Sequence, residues 1–423
     1  MSRAHLLSWL SAVLACWLAA TGLRSLAAER ISPAPAGAGR TSAVKPATAV
    51  LPLGPTRADA RQAAAALEAL GATVQWVDTP DGRRLRAVYW TGGDEGLEML
   101  QHLPELRWLD LSRTAITDDG LAEIGKLTRL EGLKLGQDRI TDAGLAHLGS
   151  LTSLEALSLL GTKITVDGLD HLAPLERLRI LNLNWTPIGD EGLKKLAGHR
   201  HLEELFLYDT KVTDAGLAHL APLRRLRALK LTWNEITDAG LAKLLQLPQL
   251  ETLYLSYTQV TDVGLKYLKA LPRLKNLYLN ETMITDTGAQ ALAKLWGLSR
   301  LDLTNTSITD AGLPSLAALT RLELLVLNGT QVTGDGIRQL APLKQLGYLG
   351  LLATEIDDDG LRTIAQFPNL EVLNLDETQI TDACLPSLKE LTTLHAISLR
   401  GTKVTDESID ELARARPELE IVR

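Results

Sequence analysis

Cysteine and aromatic residues are scarce in this sequence. Two of its 423 residues are cysteines, and phenylalanine, tryptophan and tyrosine together make up 4%. Cys16 lies in an N-terminal segment that we expect to be removed. The mature chain would then keep Cys384 alone, which excludes an internal disulfide. The fold must therefore be stabilised by aliphatic packing.

Familiar motifs of catalysis are lacking as well. The sequence has no P-loop, no G-x-S-x-G, no H-E-x-x-H and no CxxC. Lys and Arg number 44 against 51 Asp and Glu, for a formal charge of −7, and this balance argues against a dedicated nucleic-acid-binding protein. The acidic run Asp357–Asp359 is interpreted as helix capping. We expect a non-catalytic protein without metal or cofactor.

Thirteen consecutive copies of a 24-residue unit dominate the chain, the first beginning at Leu106 and the last at Leu394. The consensus is L-x-x-L-x-L-x-x-T-x-I-T-D-x-G-L-x-x-L-x-x-L-x-x, and LEELFLYDTKVTDAGLAHLAPLRR (residues 202–225) is typical. The units are numbered repeats 1–13 and their residues positions 1–24. A fixed period of this length with leucine at positions 1, 4 and 6 indicates a leucine-rich-repeat solenoid.

Seven positions of each unit (1, 4, 6, 11, 16, 19 and 22) should form the core. Of the 91 such positions, 88 hold Leu, Ile, Val or Phe, and the exceptions are His199, Ala289 and Ala415. The period-two pattern at the start of each unit predicts a short strand, and the apolar stretch after position 15 predicts a short helix. Parallel strands, roughly 13 in number, should line one face and helices the other.

Three further positions have local roles. Thr at position 9 should bond backbone groups where the chain leaves the strand. Asp at position 13, as in Asp118 or Asp214, is predicted to be a helix N-cap or an acid of the first helical turn. Gly at position 15 indicates that a small residue is required there.

The repeat motif resembles the leucine-rich repeats of certain bacterial extracytoplasmic proteins. It is also similar to the repeats of F-box-associated proteins and of GALA-type bacterial effectors, which TPIGDEGLKKLA (residues 186–197) matches closely. The resemblance covers residues 82–423. It implies an α/β horseshoe with a parallel sheet on its concave face and short helices on its convex face, used for binding proteins.

The N-terminal 28 residues differ from the repeats in composition. A basic start, LLSWLSAVLACWLAATGL and a small-residue stretch predict a signal peptide cleaved near Ala27 or Ala28, and hence export to the periplasm, cell surface or medium. An uncleaved anchor or a lipid on Cys16 remain alternatives, and this segment would provide the only membrane attachment. Residues 29–56, which contain five prolines, read as a flexible linker.

Caps are expected at both ends of the solenoid. Residues 57–81 predict a helix and the start of a hairpin, with a turn at TPDG. Asp94 and Gly96 fit the repeat frame, so 82–105 is a degenerate repeat and the solenoid spans 82–416. Residues 417–423 should form a closing strand.

Aromatic residues concentrate where side chains should project from the sheet. Positions 3, 5, 7 and 8 of repeats 4–8 hold seven of the 17 aromatics in the chain: Trp185, Phe206, Tyr208, Trp233, Tyr254, Tyr257 and Tyr278. Their expected polar rim is Asn182, Asn184, Glu204, Asp209, Lys230, Asn276, Asn280 and Glu281. Such a surface suits partner binding, although aromatics on neighbouring strands also stack for stability. Leu324, Val326, Tyr348 and Leu352 form a weaker apolar patch in repeats 10 and 11.

The leading hypothesis is therefore an exported scaffold that binds a partner protein at the aromatic residues. Aromatic platforms beside amides also suit sugar rings, so a cell-envelope glycan binder is the second hypothesis. An F-box-like substrate receptor of a ubiquitin ligase is the third, which export would contradict.

Overall fold

The computed structural model describes residues 57–79, 82–136 and 139–423. Within these ranges the strands form one 16-stranded sheet whose spatial order equals the sequence order. β1 (Thr73–Thr79) and β2 (Gly82–Tyr89) pair antiparallel, and every later pair is parallel. From β3 onward the paired residues lie one 24-residue period apart, as in Leu205 and Leu229. The sheet exceeds the expected 13 strands because the hairpin and the closing strand join it.

The strands of the thirteen repeats are three residues long and occupy positions 3–5: β3 (Trp108–Asp110), β4 (Gly132–Lys134), β5 (Ala156–Ser158), β6 (Ile180–Asn182), β7 (Glu204–Phe206), β8 (Ala228–Lys230), β9 (Thr252–Tyr254), β10 (Asn276–Tyr278), β11 (Arg300–Asp302), β12 (Leu324–Val326), β13 (Tyr348–Gly350), β14 (Val372–Asn374) and β15 (Ala396–Ser398). The closing strand predicted for residues 417–423 is β16 (Glu420–Val422).

Short helices follow the strands of the repeats and pack along one side of the sheet. The N-terminal cap begins with a longer helix. The α-helices are Arg57–Ala69, Asp118–Ile124, Asp142–Leu145, Gly189–Leu196, Asp214–Leu217, Asp238–Leu241, Asp262–Leu268, Asp286–Leu292, Leu313–Leu316, Gly334–Ile337, Asp358–Ile364, Leu385–Glu390 and Asp406–Ala415. Turns of 3₁₀-helix are Leu97–His102, Ala146–Ser150, Asp167–Leu172, Ala218–Leu220, Ala242–Gln246, Arg338–Leu340 and Asp382–Cys384.

The predicted core positions form one continuous apolar cluster along the stack. All but four of the 91 are buried, including Ala289 and His199. Leu127, Leu385 and Val404 are half-buried. The prediction for Ala415 was wrong, because it is exposed at the end of the last helix, where no further repeat covers it. Thr at position 9 does bond the backbone as predicted: the hydroxyl of Thr258 donates to the carbonyl of Leu255 at 2.6 Å.

A second ladder of hydrogen bonds joins neighbouring repeats on the helix side. Oδ1 of Asp262 accepts from the backbone N–H of Thr285 at 2.9 Å, and Oδ2 accepts from its hydroxyl at 2.6 Å. The same pair of bonds recurs from Asp94 to Asp358. Thr285 is the N-cap of the helix that begins at Asp286. Of the two roles predicted for the aspartate at position 13, it therefore has that of an acid in the first helical turn. Its carboxylate mainly links one repeat to the next.

This ladder explains the small residue at position 15. A Cβ added to Gly288 would lie 2.3 Å from Oδ1 of Asp262, so the neighbouring atoms must shift to admit a larger residue. Asp358 keeps both bonds to Thr381 where cysteine replaces this glycine. Cys384 occupies the equivalent place in repeat 12 and is buried; burial raises the pKa of its thiol to about 12, which keeps it protonated and unreactive.

The ladder is interrupted twice, and both partners change together each time. Val166 and Gly189 replace the pair between repeats 3 and 4, and Gly334 and Asp357 replace it between repeats 10 and 11. Asp357 instead caps its own helix, its Oδ1 accepting from the N–H of Gly360 at 2.9 Å. The capping interpretation of the acidic run is therefore confirmed for this residue.

Candidate functional site

The backbone turns into the left-handed region at position 8, directly after each strand. In every repeat whose position 8 is described, this residue has a positive φ, and the residue is glycine at Gly161, Gly329 and Gly401. Trp185, Trp233 and Tyr257 occupy the same position with φ of 59°, 59° and 55°. Bulky L-residues rarely adopt this conformation, at a cost of about 1–2 kcal/mol each. Three large rings therefore stand where the backbone favours glycine.

These rings and the ring of Tyr208 form a continuous row across repeats 4–7, which we call the aromatic strip (Trp185, Tyr208, Trp233 and Tyr257). Ring centroids lie 5.4 Å apart for Trp185–Tyr208, 6.4 Å for Tyr208–Trp233 and 4.8 Å for Trp233–Tyr257, the last pair being stacked. Trp185 and Trp233 remain 48% and 49% exposed. The strip therefore presents a contiguous apolar surface at the carboxyl ends of strands β6–β9.

The other three aromatics of the predicted site lie in a separate row at position 5, nearer the middle of the sheet. The rings of Tyr254 and Tyr278 stack in parallel with centroids 4.0 Å apart. Nζ of Lys230 lies 4.6 Å from the centroids of both Phe206 and Tyr254, so the cation fills the gap between them. Burial lowers the pKa of Lys230 and raises the pKa of Tyr254 well above its usual range.

The structure therefore does not gather all seven aromatics into one exposed patch. Phe206 was expected to be exposed for partner binding, but it is buried in a small cluster with Ala156 and Ile180. Tyr254 and Tyr278 are half-buried. Ala156 and Ile180 lie on the two preceding strands, and the Phe206 ring packs with them.

Polar groups at the edge of the aromatic strip are held by neighbouring repeats. The hydroxyl of Tyr257 bonds Oε1 of Glu281 at 3.3 Å, and that oxygen also accepts from Nδ2 of Asn305 at 2.6 Å. Oδ1 of Asn184 accepts from the N–H of Tyr208 at 2.8 Å. These bonds hold the polar side chains in place beside the strip. Glu204, which was expected in the polar rim, is buried.

Two further apolar side chains are exposed in repeats 7 and 8, and the residue pattern did not indicate them. Met283 at position 10 and Val263 at position 14 are 56% and 59% exposed. The backbone of Met283 bridges to Thr261, which is the N-cap of the helix Asp262–Leu268 that carries Val263. Glycine and Asn305 recur at position 8, and this recurrence was the available signal that the backbone there is left-handed.

A second apolar group on the same sheet face covers repeats 10–13. It consists of Leu324, Val326, Tyr348 and Val372, with Ala396 packed against them, and is called the apolar cluster. Its four main members are buried, Tyr348 being 2% exposed. The weaker binding patch predicted in these repeats is therefore largely covered by its own neighbours, although Leu352 is half-buried.

His199 occupies a core position that holds Leu or Phe in most other repeats, and it is buried. Burial lowers the pKa of its imidazole, which is therefore neutral at physiological pH. In the described parts of the chain, no group of three or more His, Cys, Asp or Glu residues could hold a metal ion. No helix among those residues has the length and apolar character to cross a bilayer.

Comparison with known proteins supports the fold. A model of a leucine-rich repeat region matches residues 88–290. An internalin from Listeria monocytogenes is 27% identical with a TM-score of 0.53, and the match covers 71% of this chain and 82% of the internalin. A leucine-rich-repeat protein from Leptospira interrogans is 22% identical with a TM-score of 0.54, covering 77% and 80%. No curated protein matches the chain.

The fold class predicted from the sequence is confirmed: the chain is a leucine-rich-repeat solenoid with an unclosed sheet and short helices. Repeat folds of this class present an extended surface suited to holding another macromolecule. The predicted signal peptide, linker and Cys16 lie outside the described residues.

Proposed function

We propose that this protein is a non-catalytic scaffold, exported from the cell, that binds a partner protein through the aromatic strip. The observation that carries the proposal is the exposure of Trp185 and Trp233 at left-handed backbone positions. Exposed tryptophan and tyrosine beside polar groups are the residues that dominate protein interfaces.

A purely structural role for the strip explains these residues less well. A favourable pair of aromatic rings adds about 0.5–1.5 kcal/mol. A bulky residue with positive φ costs about 1–2 kcal/mol. Trp185 makes one ring contact and leaves nearly half its surface in water. The stabilisation from ring contacts therefore roughly equals the free-energy cost of the left-handed backbone. The exposed surface of the rings remains available for a partner.

Export is the part of the proposal that rests on the sequence of residues 1–28 alone. The N-terminal sequence of the protein made in its own host tests it. A start near residue 28 or 29 supports export with cleavage. A start at Met1 would indicate a retained segment, and a lipid on Cys16 would indicate a lipoprotein.

Partner binding is tested by affinity capture from envelope extract, followed by titration of the captured protein against purified variants. Trp233→Ala with Tyr257→Ala should weaken binding by roughly 30-fold or more, since truncating a hot-spot aromatic costs about 2 kcal/mol. Arg113→Ala and Glu377→Ala are matched controls, because they change the same left-handed position in distant repeats.

Two outcomes would contradict the proposal. Equal affinity of the double variant and the parent would show that the captured protein binds elsewhere. Binding of a purified envelope glycan at the strip, with no protein retained, would favour the glycan hypothesis instead.

A further inference from the structure

The two edges of the sheet face differ in chemistry. The aromatic strip lies at the carboxyl ends of the strands. At the amino ends, positions 23, 24 and 2 carry seven exposed arginines in repeats 3–9, here called the arginine flank: Arg177, Arg200, Arg224, Arg225, Arg227, Arg273 and Arg321. These residues are spread over 145 positions of sequence and come together only because the repeat returns each to the same edge.

Backbone hydrogen bonds between neighbouring repeats connect the amino ends of the strands. The N–H of Arg227 donates to the carbonyl of Glu203 at 2.7 Å, and the carbonyl of Arg227 accepts from Glu251 at 2.8 Å. Neighbouring strands lie about 4.8 Å apart, so the seven residues extend over roughly 30 Å along the stack. Arg224, Arg225 and Arg227 come together where repeat 5 meets repeat 6, and the other four arginines lie singly at other junctions.

The arginines of the flank have no acidic partners within the described residues, although acids lie nearby. Glu203 is bonded by Nε of Arg179 at 3.0 Å, and Glu251 is bonded by Nζ of Lys275 at 3.0 Å. Two interspersed carboxylates are thus already paired with other cations, and Glu176 is an exposed acid at one end. On a chain of net charge −7, this edge is locally basic.

One aromatic ring belongs to the same edge. Trp296, at position 23 of repeat 8, is 67% exposed, and the guanidinium of Arg321 lies 5.3 Å from its ring centroid. An exposed indole face suits the apolar face of a sugar ring, and guanidinium groups bind carboxylates in a fixed planar geometry. Trp296 was not among the residues singled out from the sequence.

We propose that the arginine flank binds a linear acidic polysaccharide, one that carries about one carboxylate on each sugar ring. The seven arginines average one per repeat over repeats 3–9, a charge density that matches a polymer of moderate charge density. Duplex DNA carries one charge per about 1.7 Å of its axis, which is denser than this row. The proposal is independent of the aromatic strip, which lies on the other edge.

The test measures binding of the purified chain to alginate, a soluble polyuronate, with dextran as the neutral control. Alginate should bind and dextran should not. Affinity should fall by roughly tenfold or more between about 50 and 200 mM salt, because the contacts are ionic and release counterions. Arg224→Gln with Arg225→Gln and Arg227→Gln should weaken binding at least tenfold, and Trp296→Ala should weaken it several-fold.

The matched control removes three positive charges from the helix side, by Arg338→Gln, Arg362→Gln and Lys389→Gln. It changes net charge equally and should leave alginate binding within about twofold of the parent. An equal loss in both triple variants would show that net charge alone drives binding and would overturn the proposal.

Other outcomes would overturn it as well. These are failure of alginate to bind, tighter binding of single-stranded DNA, or binding of phosphatidylglycerol vesicles without alginate. Circular dichroism of each variant confirms folding, and all three substituted flank arginines are exposed, so loss of the fold is not expected.

Discussion

The aromatic strip and the apolar cluster occupy the same face of one sheet, yet their large side chains meet opposite environments. Trp233 in repeat 6 is 49% exposed, whereas Tyr348 in repeat 11 is 2% exposed. The difference comes from position within the repeat. Tyr348 lies at position 3, inside a strand, where its ring packs over neighbouring strands. Trp233 lies at position 8, where the left-handed turn directs the side chain away from the sheet.

Residue type alone therefore does not decide what an aromatic does in this fold. The cluster is part of the packing of the sheet, and the strip is surface that the packing leaves open. This contrast predicts that substitutions in the cluster change stability, and that substitutions in the strip change binding. The following changes test each side of the contrast, in order of expected effect.

Tyr348→Ala should give the largest loss of stability. Removing a buried aromatic ring typically costs about 3–5 kcal/mol, through lost burial and the cavity left behind. Equilibrium denaturation measures the loss, and Tyr348→Phe is the matched control because it keeps the ring. A loss below about 1 kcal/mol would show that the cluster is not a packed unit.

The buried His199, in repeat 4, should make the stability of the fold depend on pH. Its pKa is lowered in the fold, so below its ordinary value of 6.5 the unfolded chain takes up a proton more readily than the folded chain. Stability contributed by the neutral imidazole is present above pH 6.5 and is lost as pH falls, by up to about 1.4 kcal/mol per pH unit.

His199→Leu should remove this dependence between about pH 6.5 and 5.5, where most carboxylates remain ionised. His201→Leu, a change at an exposed neighbour, should retain it. The equivalent core residue beneath the cluster is Phe367, which does not titrate. Equal pH profiles for the parent and His199→Leu would contradict the account.

Lys230→Met should have the smallest effect on unfolding, within about 1 kcal/mol. The substitution removes two cation–π contacts, worth about 0.5–2 kcal/mol each, but it also relieves the burial of a charge. Thermal and denaturant unfolding of the variant and of Lys134→Met, at the same position in repeat 2, provide the comparison. A loss above about 2 kcal/mol would show that the cation holds the position 5 row together.

The repeat frame could be predicted from the sequence because a 24-residue period fixes which side chains face the core. The hairpin at TPDG and the closing strand followed from equally local signals. The Thr285–Asp262 bonds could not be foreseen in the same way, because they join residues of different repeats through side-chain geometry. The burial of Phe206 likewise depends on its packing with Ala156 and Ile180, which lie on other strands.

The candidate site was predicted in part for the same reason. The spacing of Trp185, Trp233 and Tyr257 placed them correctly on one side of the sheet. It did not reveal the left-handed backbone that exposes them, although the glycines at the same position were a visible signal. The arginine flank was missed because the overall charge of −7 conceals where the positive charges collect.

The most direct test of the central claim is Trp233→Gly, measured for both unfolding and partner binding. Glycine adopts the left-handed conformation at position 8 without strain, so the variant should unfold within about 1 kcal/mol of the parent, or be more stable. Binding should weaken by roughly 30-fold or more. Unchanged binding together with a loss of several kcal/mol in stability would contradict the account, because it would make the exposed ring a structural element like Tyr348.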